Sequence, residues 1–144
     1  MGGWVNSVEM AILDDFTGKA AYTPPVTLYA GLSTTTPNES SGSFTEPVAG
    51  GYLRFQVTAA TWTNATSGNP SSTSYGAAIA FAAATGGWGT VTHFGLFSVA
   101  TAATGLVQHW GTLDTAKAIQ TSDSASFAAN TLKIYLGDPP DTYT

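Results

Sequence analysis

Thr90-Val91-Thr92-His93-Phe94-Gly95-Leu96-Phe97-Ser98-Val99 alternates with the period of two that marks an extended strand, and it carries bulk on both sides. Val91, Phe97 and Val99 fall on one side, Phe94 and Leu96 on the other. A strand that is apolar on both faces is covered on both faces, so this stretch reads as the longest strand of a layered β fold. Beyond it, residues 100–104 have hairpin-loop composition, Gly105 follows, and the chain returns along residues 106–113. A last strand pair is expected near residues 117–120 and 126–136, the latter setting Leu132, Ile134 and Leu136 against Lys133 and Tyr135.

On the amino-terminal side, Gly86 and Gly87 make a turn before Trp88, and an apolar strand precedes them with Tyr75, Ala77, Ile79 and Phe81 on one face. Polar loops fill residues 64–74 and 33–50. Between them, residues 52–58 alternate, with Leu53, Phe55 and Val57 expected inward and Tyr52, Arg54 and Gln56 outward. After Pro24 and Pro25 another strand places Val26, Leu28, Ala30 and Leu32 on one side and Thr27 and Tyr29 on the other. The period changes near the amino end. Asn6 and Glu9 have capping-box spacing, Val5, Val8, Ile12 and Phe16 recur at helical intervals, and Gly18 suits a helix end, which predicts one amphipathic helix over residues 6–17.

About seven or eight strands separated by turn signals predict a mainly β, two-sheet antiparallel sandwich or jelly roll with one short amino-terminal α-helix. The expectation is a single domain over residues 1–144, with residues 137–144, which hold Pro139 and Pro140, as an extended tail.

Composition narrows the function classes. Charged residues are 9% of the chain, against roughly 25% in ordinary soluble domains. From Phe55 to Leu113 there is no Asp, Glu, Lys or Arg. So neutral a tract is either covered by a neighbour or solvated through Thr, Ser and Asn. The net charge of −5 and the dispersal of Lys19, Arg54, Lys117 and Lys133 argue against nucleic acid as a partner. The absence of cysteine leaves no disulfide or thiolate metal site. The longest apolar run, residues 77–84, is too short to cross a bilayer, and the first residues lack a signal-peptide pattern, so synthesis in the cytoplasm without a membrane association is expected.

Groups suited to catalysis are few. His93 and His109 are expected to approach each other across the hairpin, where two hydrogen-bonded structural histidines outweigh a zinc site because further ligands are lacking. Asp14 and Asp15 point apart on the helix and read as a solvated face. The calcium, phosphate-loop and nucleophilic-serine motifs are absent, so no catalytic, cofactor-binding or metal residues are assigned and the chain is expected not to be an enzyme. Trp4, Tyr52, Trp62, Trp88 and Tyr143 are candidates for exposed aromatic residues, suited to a protein interface or to stacking on sugar rings, although for any single one packing in the core or under a loop is the leading expectation.

The run Trp88-Gly89-Thr90-Val91-Thr92-His93-Phe94-Gly95-Leu96-Phe97 resembles a motif of a family of small tailed-bacteriophage and prophage structural proteins. Tyr29-Ala30-Gly31-Leu32-Ser33-Thr34-Thr35-Thr36-Pro37 and Gly50-Gly51-Tyr52-Leu53-Arg54 look like two further landmarks of it, in the same order, so the likeness extends over about residues 11–136. Ser98-Val99-Ala100, where the family usually has an Asp, and the Pro-rich tail depart from the pattern. Members are often labelled tail fibre proteins, and similar small β-sandwich proteins serve as capsid cement, or decoration, proteins.

The resemblance implies a virion structural protein. The leading expectation is a capsid cement protein on the particle surface, a homo-oligomer that binds and stabilises the shell of major capsid protein; a tail fibre or baseplate component and a carbohydrate-binding module are the alternatives. Candidate contact residues are Trp4, Thr34, Pro37 and Phe44, Tyr52 with Arg54, and Pro139 and Tyr143. The loop of residues 34–49 supplies three of them, since loops this long are commonly functional.

Overall fold

The structure is a computed structural model and describes residues 3–68 and 70–136. The alternation around Phe94 becomes β6 (Gly89–Phe97), and it lies inside an antiparallel sheet together with β1 (Gly3–Trp4), β2 (Leu28–Ser33), β3 (Phe55–Val57) and β7 (Val107–Ile119). The strand order is β1-β7-β6-β2-β3. Two short antiparallel ribbons complete the β structure: β4 (Ser71–Ser74) with β9 (Lys133–Leu136), and β5 (Ile79–Ala80) with β8 (Ser126–Phe127).

Both faces of the large sheet are buried, as the doubly apolar strand requires. On one face Ala30, Leu32, Leu96 and Val91 meet Tyr75, Ile79, Phe81 and Leu132 from the ribbon side, which makes the sandwich. On the other, Phe97, Val107 and Trp110 are covered by Val5 and Val8, with Ile12, Tyr22 and Phe44 at the margin. Each such side chain removed from water contributes roughly 1.5–3 kcal/mol, so the mainly β sandwich with one short helix follows from the pattern.

Register supplies what periodicity omits. Between the pairs Val91–Lys117 and His93–Thr112, one residue of β6, Thr92, lies opposite four of β7, residues 113–116. This bulge re-aims the strand, so Val91 packs with Leu96 and Phe94 instead of with Phe97. The longest strand is β7, with 13 residues against nine in β6. Residues expected to start a separate strand at 117 are its end, where Lys117, Ala118 and Ile119 pair with Val91, Thr90 and Gly89. Val99 lies past the end of β6 at the surface.

Other strands are shorter than the alternation implies. Leu28, Ala30 and Leu32 face the core, whereas Val26 precedes β2 and is exposed. Tyr75, Ile79 and Phe81 are buried, but β5 holds only two residues and Ala77 is exposed. At residues 52–54 the expected faces are inverted. Tyr52 and Arg54 are 7% and 8% exposed and Leu53 is 67% exposed. Their outer side, taken as solvent, is occupied by the loop before them.

Helix α1 (Asn6–Phe16) forms where expected, without the capping box: Asn6 is its first helical residue, Val5 is the extended N-cap, and no side chain caps it. The Asn6 N–H donates to the Glu39 carbonyl, so the loop of residues 34–49 meets the helix start. Val5 and Val8 are buried and Ile12 packs beside them. Phe16, one turn further, is 86% exposed, because the cluster the stripe joins has no helical member past Ile12.

Gly18 ends the helix at φ +71°, with its N–H on the Asp15 carbonyl and that of Lys19 on Asp14. A Cβ there would meet nothing within 4 Å. Gly18→Ala therefore isolates the left-handed conformation and is expected to cost about 1 kcal/mol, read as a lower urea midpoint at unchanged slope.

Candidate functional site

The loop of residues 34–49 is folded back on the sheet by its own backbone. The Thr34 N–H donates to the Thr45 carbonyl, Asn38 to Ser43 and Gly42 to Asn38, while Val107 donates to Gly42. Ser33 Oγ donates to the carbonyls of Thr35 and Thr45. In consequence Pro37 is buried and Thr34 and Phe44 are half-buried. Phe44 meets the Phe97 ring edge-on at 5.0 Å. These three expected contact residues brace the loop from beneath.

The brace centres on Glu46, which the sequence reading did not single out. Arg54 grips its carboxylate with two parallel bonds, Nη2 to Oε2 at 2.7 Å and Nε to Oε1 at 2.9 Å. Tyr52 Oη donates to Oε1 at 2.9 Å and accepts the Leu32 N–H at 2.7 Å. The Ala103 N–H donates to Oε2. Arg54 also donates to the carbonyls of Val99 and Thr104, and its guanidinium lies 3.5 Å from the centre of the Phe97 ring. A Cβ at Gly31 would stand 2.8 Å from Glu46 Oε1, so glycine leaves the room that this carboxylate occupies.

The electrostatics match. Burial, then the Glu46 charge, raises the Tyr52 phenol above its ordinary range and keeps it a neutral donor. A buried carboxylate is tolerable only when paired and hydrogen-bonded, and Glu46 has four donor contacts around it. Tyr52 and Arg54, expected as outward contact residues, are thus internal: they lock residues 34–49, 50–54 and 99–104 to one another. Beside them Trp88 is buried, with its Nε1 donating to the Gly50 carbonyl, so of its two expected roles packing is the one observed.

What this framework presents to solvent is apolar. Val48 is 92% exposed and, with Pro47, Ala49, Ala102 and Ala103, lines a groove of about 250 Å³. Val99 and Leu106 are exposed at the same hairpin end, Leu106 beside Gly42. Helix α1 exposes Met10, Leu13 and Phe16, three residues apart and so neighbours on one face. The i, i+3 spacing of that second stripe was visible in the sequence.

Trp4 and Trp62 are half-buried; Trp4 donates its Nε1 to the Tyr135 carbonyl and Trp62 stacks edge-on against Tyr75. Pro139 and Tyr143 lie outside the described residues. Within the uncharged tract, the hydroxyl groups of Thr63, Thr66 and Thr73 donate to backbone carbonyls and tie together the segments around β4.

The two histidines do not meet. In the β6–β7 register His93 faces Thr112 and His109 faces Leu96, so their side chains point to opposite faces of the sheet. His93 bonds Thr92 and packs on Trp110, whereas His109 is buried against Trp4. Burial lowers His109 to about 4. Among the described residues no three His, Cys, Asp or Glu side chains come together as a metal site, and no helix is long and apolar enough to cross a membrane.

A protein-family model, Gp80, described as podophage GP4 fiber I protein gp80, matches residues 3–135. No curated protein matches the chain.

Proposed function

This chain belongs to the family of podophage GP4 fiber I protein gp80, and from that premise we propose that it is a fibre component of a podophage tail that works by docking onto neighbouring virion proteins. The family is one of phage virion structural proteins, which suggests a non-enzymatic role and a place in the virion. The observation that carries the reading is the exposed stripe Met10, Leu13 and Phe16 on α1, together with the apolar hairpin end at Val48, Val99 and Leu106.

Large apolar side chains in water favour association, and a surface whose loops are already fixed loses little conformational entropy on binding. The Glu46–Arg54 pair fixes these loops. Binding of this kind adds buried area between subunits and needs no chemical step.

The helix stripe gives the test. Phage carrying Leu13→Ser with Phe16→Ser are expected to yield a chain with unchanged melting temperature but with incorporation into particles reduced roughly tenfold, since two lost apolar anchors are worth at least 1.4 kcal/mol. Normal incorporation would remove the helix from the interface.

The earlier expectation, a homo-oligomeric cement protein binding the major capsid protein, stays as the second reading. It is favoured by the described fold, a sandwich of mostly short strands paired largely between distant parts of the chain, without the repeated elements of an elongated fibre. Copy number separates the two: stoichiometry matching the head lattice supports cement, and stoichiometry matching the tail symmetry supports the fibre.

A further inference from the structure

The bulge between β6 and β7 leaves residues 113–116 without register partners on β6. A cavity lies on either side of it, one of about 290 Å³ and one of about 410 Å³. They share Phe94, Thr112, Leu113 and Asp114. The smaller adds Phe127 and Lys117 among its walls, and the larger adds His109, Tyr135 and Lys133. Asp114 is the first ionisable carboxylate or ammonium after Arg54 in the sequence, and it stands in both walls.

His109 is 6% exposed, and its Nδ1 has no hydrogen-bond partner among the described residues. A buried polar atom left unpaired costs about 1–3 kcal/mol, and the His109 residue that carries it lines the larger cavity. The walls otherwise combine aromatic rings with a few separated polar groups, the usual make-up of small-molecule sites.

We propose that the two cavities flanking Leu113 and Asp114 form one groove for a short oligosaccharide, with a sugar ring on each side of the bulge. Phe94, Phe127 and Tyr135 offer ring faces for the apolar C–H surface of a pyranose. Asp114 accepts from hydroxyl groups, and Lys117 and Lys133 donate to them. A purely apolar ligand would cover Asp114 without supplying a donor. A phosphate-rich ligand would meet the Asp114 charge on a chain of net charge −5. The assignment goes beyond the assembly role and holds whether the chain sits on the tail or the head.

The test uses the full purified chain on an array of neutral and uronic-acid-containing di- to tetrasaccharides, with each bound saccharide titrated by calorimetry. At least one saccharide is expected to bind. Asp114→Ala and Tyr135→Ala, both at exposed side chains, are expected to weaken it roughly tenfold or more without moving the melting temperature, while Phe16→Ser leaves it intact. Failure of the unaltered chain to bind any saccharide on the array at millimolar concentration overturns the proposal. So does undiminished binding by both groove variants.

Discussion

Arg54→Met is expected to lower folding stability by about 3–5 kcal/mol, the largest loss from any single substitution considered. The guanidinium makes two bonds to the buried Glu46 carboxylate and one each to the Val99 and Thr104 carbonyls. Methionine retains apolar contact with Phe97 but supplies no donor, so a buried charge and two carbonyls lose their partner together. The loss therefore exceeds what an exposed ion pair gives, which is at most about 1 kcal/mol.

Replacing both members, Glu46→Leu with Arg54→Met, removes the uncompensated charge and is expected to restore part of the stability. It does not restore the fixed loops, so proteolysis within residues 99–104 should be faster in both variants. Chemical denaturation of the three proteins checks this. A loss below about 1 kcal/mol for Arg54→Met would mean that the pair is not the brace described.

Acidification gives the second large effect. Between pH 6.5 and about 4 the chain is expected to lose roughly 3 kcal/mol of stability through His109 alone. Above 6.5 neither the folded nor the unfolded chain protonates this imidazole. Below it the unfolded chain takes up the proton while the folded one, desolvated by burial, stays neutral, so stability falls with pH until the folded group also titrates near 4. Urea unfolding from pH 8 to 4 measures the slope. His109→Leu should flatten it, and an identical slope in that variant would assign the pH dependence to other groups.

Much of the fold was legible because burial on a strand has a period of two. Leu28, Ala30 and Leu32 and the doubly apolar stretch around Phe94 name their own faces, and the conformational freedom of Gly18 marks the helix end. Register was not legible, because it is decided between strands: nothing within β7 announces that four of its residues lie opposite one of β6.

The site was half legible for a similar reason. Residues 34–49 stood out by length, but Tyr52 and Arg54 were placed outside because a polar residue in an alternating strand is read as facing water. Their true environment depends on Glu46 and on the carbonyls of Val99 and Thr104, distant in sequence. Phe16 continued the inward stripe on paper, yet the face it would have joined ends at Ile12.

Electron cryo-microscopy of the intact virion tests most directly whether this chain is a docking component of the particle. The expected map shows it in the tail, with Leu13 and Phe16, or the hairpin end at Val99 and Leu106, packed against another virion protein. Complete particles without the chain, or a bound chain whose two apolar surfaces both face solvent, would contradict the account.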